Sequence, residues 1–194
     1  MPEMNTSDSI LAAAMELFSK KGYAAVTTKE IAAKAQVNEV TLFRHFATKH
    51  ILYNKVFSKY VFEPSFEEIF HKQIIWDLSK DLLIIASFFY DIIIRNSKLL
   101  QMNIKDSGDL LTGAEDNNFM ERISHRAKQE LISYFSVMKE KGIIAEEPEI
   151  LATNFMMINA GIITSLFYAG YEMEETLEKY REKMVEIFAK GIKA

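Results

Sequence analysis

Apolar residues recur at three- and four-residue intervals along most of the chain, and this spacing predicts an all-α fold. The first predicted helix carries an apolar stripe from Ile10 to Phe18. Lys20 and Lys21 suit the negative end of its dipole, and Gly22 suits the position just beyond the last helical residue. Neither an alternating strand pattern nor an internal repeat stands out, so every element is expected to be a helix.

Two short helices and a longer third one are predicted next, because each has a side chain that can cap its N-terminus. Thr27 followed three residues later by Glu30 forms a capping box. Asn38 can cap a second helix, and Thr48 can cap a longer third one. The first two of these helices are joined by a tight turn.

The rest of the chain is predicted to form longer helices. Their approximate bounds are 65–75, 79–95, 98–105, 118–141, 148–170 and 174–190. The helix at 79–95 is apolar on nearly every side, which predicts a central buried position. Its most apolar run is interrupted by polar residues and is too short to span a bilayer. About nine helices are expected in total.

Composition narrows the class of protein. The chain of 194 residues is 49% hydrophobic and contains no cysteine, so it can form a core but neither disulfides nor thiolate metal sites. The first residues lack the basic and apolar regions of a signal peptide, and we expect a cytoplasmic protein. The net charge of −4 by itself argues against a nucleic-acid binder. Up to His50, however, basic and acidic residues nearly balance, and the acidic excess lies beyond it.

The helix after Asn38 has two contrasting faces. Leu42 and Phe46 are four residues apart and share the face that is expected to pack on the preceding helices. The opposite face carries polar and basic side chains, Arg44 and His45 among them. Two short helices with such a second face form a helix-turn-helix, whose second helix fits the major groove of DNA. The alternative is an ordinary solvated face.

The segment from Ile10 to Val56 resembles the DNA-binding domain of the tetracycline-repressor (TetR) family of bacterial transcription regulators. The matching residues are Ala14, Leu17, Phe18, Gly22, Thr27, Thr28, Ile31, Ala32, Ala35, Val37, Thr41, Leu42, Phe43, Phe46 and Lys49. The resemblance implies a DNA-binding domain at 1–50, with its helix-turn-helix at about 27–46, and a ligand-binding and dimerisation domain at 51–194. It also implies a homodimer that reads a palindromic double-stranded DNA operator and is released by a small-molecule effector.

The resemblance implies roles for ten residues of the head. These DNA-binding candidates are Thr27, Thr28, Lys29, Glu39, Val40, Thr41, Phe43, Arg44, His45 and Lys49. The two threonines would bring a helix N-terminus to a phosphate, because such an end favours anions. Arg44 can take guanine O6 and N7, and Lys49 would pair with a phosphate.

Three residues of the head depart from the family pattern. Gln36 stands where the family usually has glycine, and a left-handed backbone there would cost Gln about 1 kcal/mol over Gly. Phe43 stands where the family usually has a tyrosine that binds phosphate. Glu39 is acidic near the groove. It either accepts from a cytosine or only favours the helix N-terminus through the dipole.

The larger part of the chain supplies candidates for ligand binding and dimerisation. Residues that could line an apolar or aromatic ligand site are Phe88, Phe89, Met102, Phe119, Ile123, Phe155, Met156 and Asn159. The apolar stripes of the last two helices, which the resemblance assigns to the dimer interface, contain Leu151, Ile158, Ile162, Leu177, Tyr180, Met184, Ile187 and Phe188. For both sets the alternative is packing within one chain.

The sequence gives little support for metal binding, cofactor binding or catalysis. Glu68 and His71 form one Glu-x-x-His pair, whereas di-iron bundles use two such pairs, so a surface pair is the simpler interpretation and no metal is expected. No catalytic triad or Gly-rich phosphate loop can be argued, so neither a cofactor nor an enzyme is expected. Two hypotheses therefore compete: a ligand-responsive DNA-binding repressor, and a dimeric helical sensor or interaction module that has lost operator binding.

Overall fold

The computed structural model describes the backbone of residues 5–105, 119–169 and 173–194, and the side chains of 5–102, 121–162 and 178–194. Its α-helices are α1 (Thr6–Lys21), α2 (Thr28–Lys34), α3 (Glu39–Phe46), α4 (Lys49–Tyr60), α5 (Leu78–Arg95), α6 (Ser97–Lys105), α7 (Phe119–Glu140), α8 (Pro148–Ala169) and α9 (Met173–Ile192). A six-residue π-helix, Glu68–Gln73, lies between α4 and α5. Within the described residues no strand forms, which confirms the predicted all-α class.

The chain divides into two compact units. One is drawn from residues 1–62 and 95–120, and the other from residues 63–94 and 121–194. The domain boundary predicted at residue 50 therefore falls inside α4, whose Leu52 and Val56 are fully buried. Because α4 and α6 both pack against α1, the first unit is larger than the predicted DNA-binding domain.

Apolar residues of α1 to α4 form the core of the first unit. Its most buried side chains include Ile10, Ala14, Phe18, Ile31, Leu42, Leu52 and Val56. Asn96, the residue between α5 and α6, also belongs to this unit. Its Oδ1 accepts a hydrogen bond from the Phe62 N–H at 2.9 Å, and its Nδ2 donates to the Phe62 carbonyl at 3.0 Å. Asn96 is completely buried, so this pairing satisfies polar groups that are cut off from water.

The second unit has its core on α5, α7, α8 and α9. Side chains that are at most 1% exposed include Leu82, Ile85, Leu131, Phe135, Met138, Ala152, Phe155 and Val185. One carboxyl group, that of Asp81, is also fully buried. It accepts hydrogen bonds from the Ile75 N–H at 3.0 Å and from the Tyr134 hydroxyl at 3.2 Å.

In the described parts of the chain, the helices are too short or too polar to cross a membrane.

Helices α2 and α7 end in the same hydrogen-bonded motif. After α2, Gln36 N–H donates to the Ala33 carbonyl, and Val37 N–H donates to the Ala32 carbonyl. After α7, the N–H groups of Gly142 and the following residue make the equivalent bonds. This is the Schellman motif, which requires a left-handed residue just beyond the helix. Gln36 has φ 58° and Gly142 has φ 69°, so the left-handed backbone considered for Gln36 is confirmed.

Candidate nucleic-acid interface

Side-chain caps fix the N-terminal ends of the two helices of the helix-turn-helix. The Thr27 hydroxyl accepts from the Glu30 N–H at 3.1 Å, and the Glu30 carboxylate accepts from the Thr27 N–H at 3.0 Å. The predicted capping box at the start of α2 is thus confirmed. Asn38 caps α3 by accepting from the Thr41 N–H at 2.7 Å. Both helices therefore begin at the residues that the sequence predicts.

The two faces of α3 are separated as expected. Leu42 and Phe46 are buried on the inner face. On the outer face Val40 is 77% exposed, and Arg44 and His45 are also exposed. Among the described residues Arg44 makes no ion pair, so its guanidinium is available to an outside partner. Phe43, at the position where the family has tyrosine, is 43% exposed and ends in carbon rather than a hydroxyl.

Glu39, the acidic residue at the start of α3, is bound to the neighbouring helix. The hydroxyl of Thr28, the first residue of α2, donates a hydrogen bond to its carboxylate. The bond connects the N-terminal ends of both helices, where a negative charge is favourable. This contact supports the structural interpretation of Glu39 over direct recognition of cytosine.

Two other candidates occupy the edges of this surface. Lys29 is exposed on the outside of α2, whereas Lys49 at the start of α4 is partly buried. The Lys49 ammonium donates to the Tyr23 carbonyl at 2.5 Å and lies 4.1 Å from the centre of the Tyr23 ring. These two contacts of Lys49 connect the start of α4 to the loop between α1 and α2.

A strained residue separates α3 from α4. Ala47 has φ 49° and ψ −48°, and the Thr48 N–H donates back to the Phe46 carbonyl across it. This γ-turn conformation is unfavourable for a residue with a Cβ. It reverses the chain within a single residue, so α4 begins immediately and the outer face of α3 is left open.

Comparison with known proteins identifies the family. The sequence model described as "Bacterial regulatory proteins, tetR family" matches residues 10–56. The HTH-type transcriptional regulator YvkB of Bacillus subtilis (strain 168) is 33% identical over 197 residues, which cover 97% of this chain and 98% of YvkB. The chain belongs to the TetR family. It is therefore a transcriptional regulator with a helix-turn-helix head, as the resemblance implied.

Two further relatives define how far the similarity extends. QacR, an HTH-type transcriptional regulator of Staphylococcus aureus (strain Mu50 / ATCC 700699), is 37% identical over 70 residues, 36% of each chain. The crystal structure of NalD, the secondary repressor of the MexAB-OprM multidrug efflux pump in Pseudomonas aeruginosa, has a TM-score of 0.68. It covers 97% of this chain and 96% of NalD at 18% identity, and so supports the TetR-family fold alone.

The residues predicted to line a ligand site of this TetR-family chain are buried or half-buried wherever their side chains are described. Phe89 and Phe155 are buried, with ring centres 6.3 Å apart. Asn159 is 5% exposed and donates to the Phe155 carbonyl at 2.7 Å. The half-buried members are Phe88, Ile123 and Met156. Met102 is buried in the other unit, and the Phe119 side chain lies outside the described residues.

A cavity of about 310 Å³ lies between the π-helix and α7. None of those residues is in its lining, although the ring of the lining residue Phe70 lies 6.5 Å from that of Phe88. Its lining consists of Phe70, His71, Ile74, Trp76, Glu130, Ser133, Tyr134 and Val137. From the sequence, Trp76 and Phe70 are as compatible with a pocket as with core packing, whereas the other lining residues show no signal of such a site. The sequence feature that points to this cavity is Trp76, the single tryptophan of the chain. It precedes α5 and does not belong to an apolar helical stripe.

The predicted dimer residues divide between the surface and the core. Ile158, Tyr180 and Ile187 are exposed by 39%, 57% and 62%. Leu151 is only 4% exposed, so it belongs to the core of one chain. Phe188 is half-buried, and its ring lies 5.2 Å from that of Phe155. Ile162 and Met184 are half-buried, and the Leu177 side chain lies outside the described residues.

Proposed function

We propose that the chain is a cytoplasmic, homodimeric repressor. It binds a palindromic operator through α3 and leaves it when an apolar or aromatic small molecule binds. The observation that carries the proposal is the outer face of α3. A capped helix holds the unpaired, exposed Arg44 there, beside Val40 and Thr41. These side chains suit guanine and thymine edges in a major groove.

The small size of the recognition helix supports a homodimer. One α3 helix of eight residues contacts too few base pairs to be selective, and two copies on a palindrome double the number read. The exposed apolar residues of α8 and α9 provide a surface that a second copy of the chain can bury. They include Met157, Ile158, Tyr180 and Ile187.

The test begins with selection of genomic DNA fragments on the purified protein at a fixed, near-physiological salt concentration. One enriched palindrome is expected. Arg44→Ala should then weaken binding to it by about 1–3 kcal/mol and relax selectivity at one base pair of each half-site. Arg122→Ala, which removes an exposed arginine of α7, is the control and should bind like the wild type.

Two results would contradict this function. If no sequence is enriched, the rival function, a sensor or interaction module without operator binding, becomes the better one. Wild-type affinity and selectivity in Arg44→Ala would contradict the base contact assigned to Arg44, the single arginine of α3.

A further inference from the structure

The cavity beside α7 has the size of a small-molecule site. Its volume of about 310 Å³ lies at the lower end of the range for ligand pockets in proteins. The lining combines aromatic rings and aliphatic groups with a few polar side chains, which is the composition of such sites. All the lining residues belong to the second unit.

Its aromatic wall is a pair of stacked rings. Trp76 and Tyr134 lie with ring centres 6.0 Å apart and planes inclined by 11°. The Tyr134 hydroxyl is bound to the buried carboxyl of Asp81, which fixes the ring. Asp81 also holds the N–H of Ile75, next to Trp76. One buried group therefore positions both halves of the wall.

Trp76 occupies this wall at a conformational cost. Its φ of 64° is unfavourable for a bulky side chain, yet the residue is 42% exposed. A large apolar surface is thus held open to solvent by a strained backbone. Strain of this kind accumulates at ligand sites, where the surrounding structure keeps a side chain in a required position.

Glu130 provides a hydrogen-bond acceptor on the other side of the cavity. Its side chain is 12% exposed. Arg126 donates to Oε1 at 2.8 Å. Oε2 lies 3.6 Å from His71 Nε2, which is within ion-pair distance but too far for a hydrogen bond. Oε2 can therefore accept a hydrogen bond from a molecule in the cavity.

The charges around the cavity favour a neutral ligand. Arg126 already compensates the charge of Glu130, and the Lys141 ammonium lies 4.4 Å from the centre of the Trp76 ring. An organic cation would meet both positive groups. A carboxylate would place acceptors against the acceptor Oε2. A neutral hydroxyl donor avoids both conflicts, and its hydrogen bond to a carboxylate is a strong one.

We propose that this cavity binds a neutral, planar aromatic compound that carries a phenolic hydroxyl. The ring packs against Trp76 and Tyr134, and the hydroxyl donates to Glu130 Oε2. Binding itself is independent of DNA recognition; only the role of the ligand as an effector rests on the proposed function.

Four probes of equal ring size test the ligand class: 2-naphthol, 2-methylnaphthalene, 2-naphthoate and (2-naphthylmethyl)trimethylammonium. Binding is measured by calorimetry and by quenching of Trp76, the single tryptophan. Because the hydroxyl bonds to a charged group, 2-naphthol should bind about ten- to a hundredfold more tightly than 2-methylnaphthalene. Equal affinities, or preference for either charged probe, would overturn the proposal.

Variants test the two sides of the cavity separately. Glu130→Gln should lose the preference for 2-naphthol and keep the affinity for 2-methylnaphthalene. Trp76→Gly should weaken both probes in calorimetry while remaining folded, because glycine accepts the positive φ. Glu147→Gln, on an exposed residue outside the cavity, is the control and should behave like the wild type. An unaltered preference in Glu130→Gln would exclude the assigned hydrogen bond.

A final measurement adds 2-naphthol to the complex with the selected DNA palindrome. Release of DNA at the concentrations that quench Trp76 would support an effector role. Quenching by a protein that binds no palindrome would support the site and contradict the proposed repressor function. Operator binding without any quenching would contradict the site and leave the repressor function intact.

Discussion

Gln36 and Gly142 occupy the same position in two copies of one motif. Each lies just beyond a helix, each has a left-handed backbone, and each donates its N–H to a carbonyl three residues earlier. Only one of them is a glycine. A Cβ built on Gly142 would meet no atom within 4 Å, so the difference between the two sites is conformational rather than steric.

We predict that Gln36→Gly raises the free energy of unfolding by about 1 kcal/mol, because glycine adopts a positive φ without a Cβ penalty. Gly142→Ala should lower it by a similar amount for the same reason. Urea denaturation at pH 7 measures both, and Gln36→Ala is the matched control that should give no gain. A midpoint for Gln36→Gly at or below the wild-type value would contradict the prediction.

At the scale of elements, what could be predicted depends on the separation of the interacting residues. The helices, the capping box and the inner face of α3 follow from contacts within a few residues, and the sequence shows these directly. The tie between Thr28 and Glu39, or between Asp81 and Tyr134, joins residues 11 and 53 positions apart. No local pattern contains such pairs, so the cavity and its aromatic wall could not be predicted.

Asp81 and Asp77 lie at the start of α5 and have opposite pKa shifts. Burial raises the pKa of Asp81 despite its hydrogen bonds from Ile75 and Tyr134. Hydrogen bonds from the backbone and side chain of Lys80 lower the pKa of the half-buried Asp77. Protonation of Asp81 therefore stabilises the fold below its unfolded pKa, and this contribution is lost as the pH rises through the raised folded value. For Asp77 the contribution is present above the unfolded pKa and is lost as the pH falls.

These signs predict opposite effects in two neighbouring variants. Relative to the wild type, Asp81→Asn should become progressively more stable as the pH rises from about 4 towards neutrality. Asp77→Asn should become progressively less stable as the pH rises from about 2 to 5. Urea midpoints across pH 2–8 measure both differences. Parallel curves for Asp81→Asn and the wild type would show that the Asp81 carboxyl does not titrate differently in the folded protein.

At the scale of the whole molecule, the exposed apolar residues of α8 and α9 are the surface that supports the proposed homodimer. Separated by seven positions, Tyr180 and Ile187 share one face of α9, and Ile150 and Met157 do the same on α8. The helical spacing predicts the α9 stripe with Tyr180 and Ile187, whereas Ile150 and Met157 are not among the residues predicted on α8. Spacing alone does not show which residues of a stripe pack within one chain. Leu151 and Phe188, on the same two helices, do so.

We predict that Ile187→Glu weakens dimerisation by about tenfold or more, since a twofold interface would contain two buried carboxylates. Sedimentation equilibrium over a range of protein concentrations measures the effect. Ile51→Glu makes the same replacement at an exposed isoleucine of α4 and should leave the dimer unchanged. A wild-type association constant for Ile187→Glu would place the dimer interface elsewhere.

The attachment of Lys49 to Tyr23 has a consequence for the response to ionic strength. Each phosphate that a protein neutralises releases condensed cations from the duplex and steepens the fall of affinity with salt by about 0.9 on logarithmic axes. An ammonium that remains on the Tyr23 carbonyl neutralises none. In a dimer this reduction applies to both half-sites. A regulator built in this way would keep its operator occupied over a wider range of salt concentration than one whose α4 lysine binds the backbone of DNA.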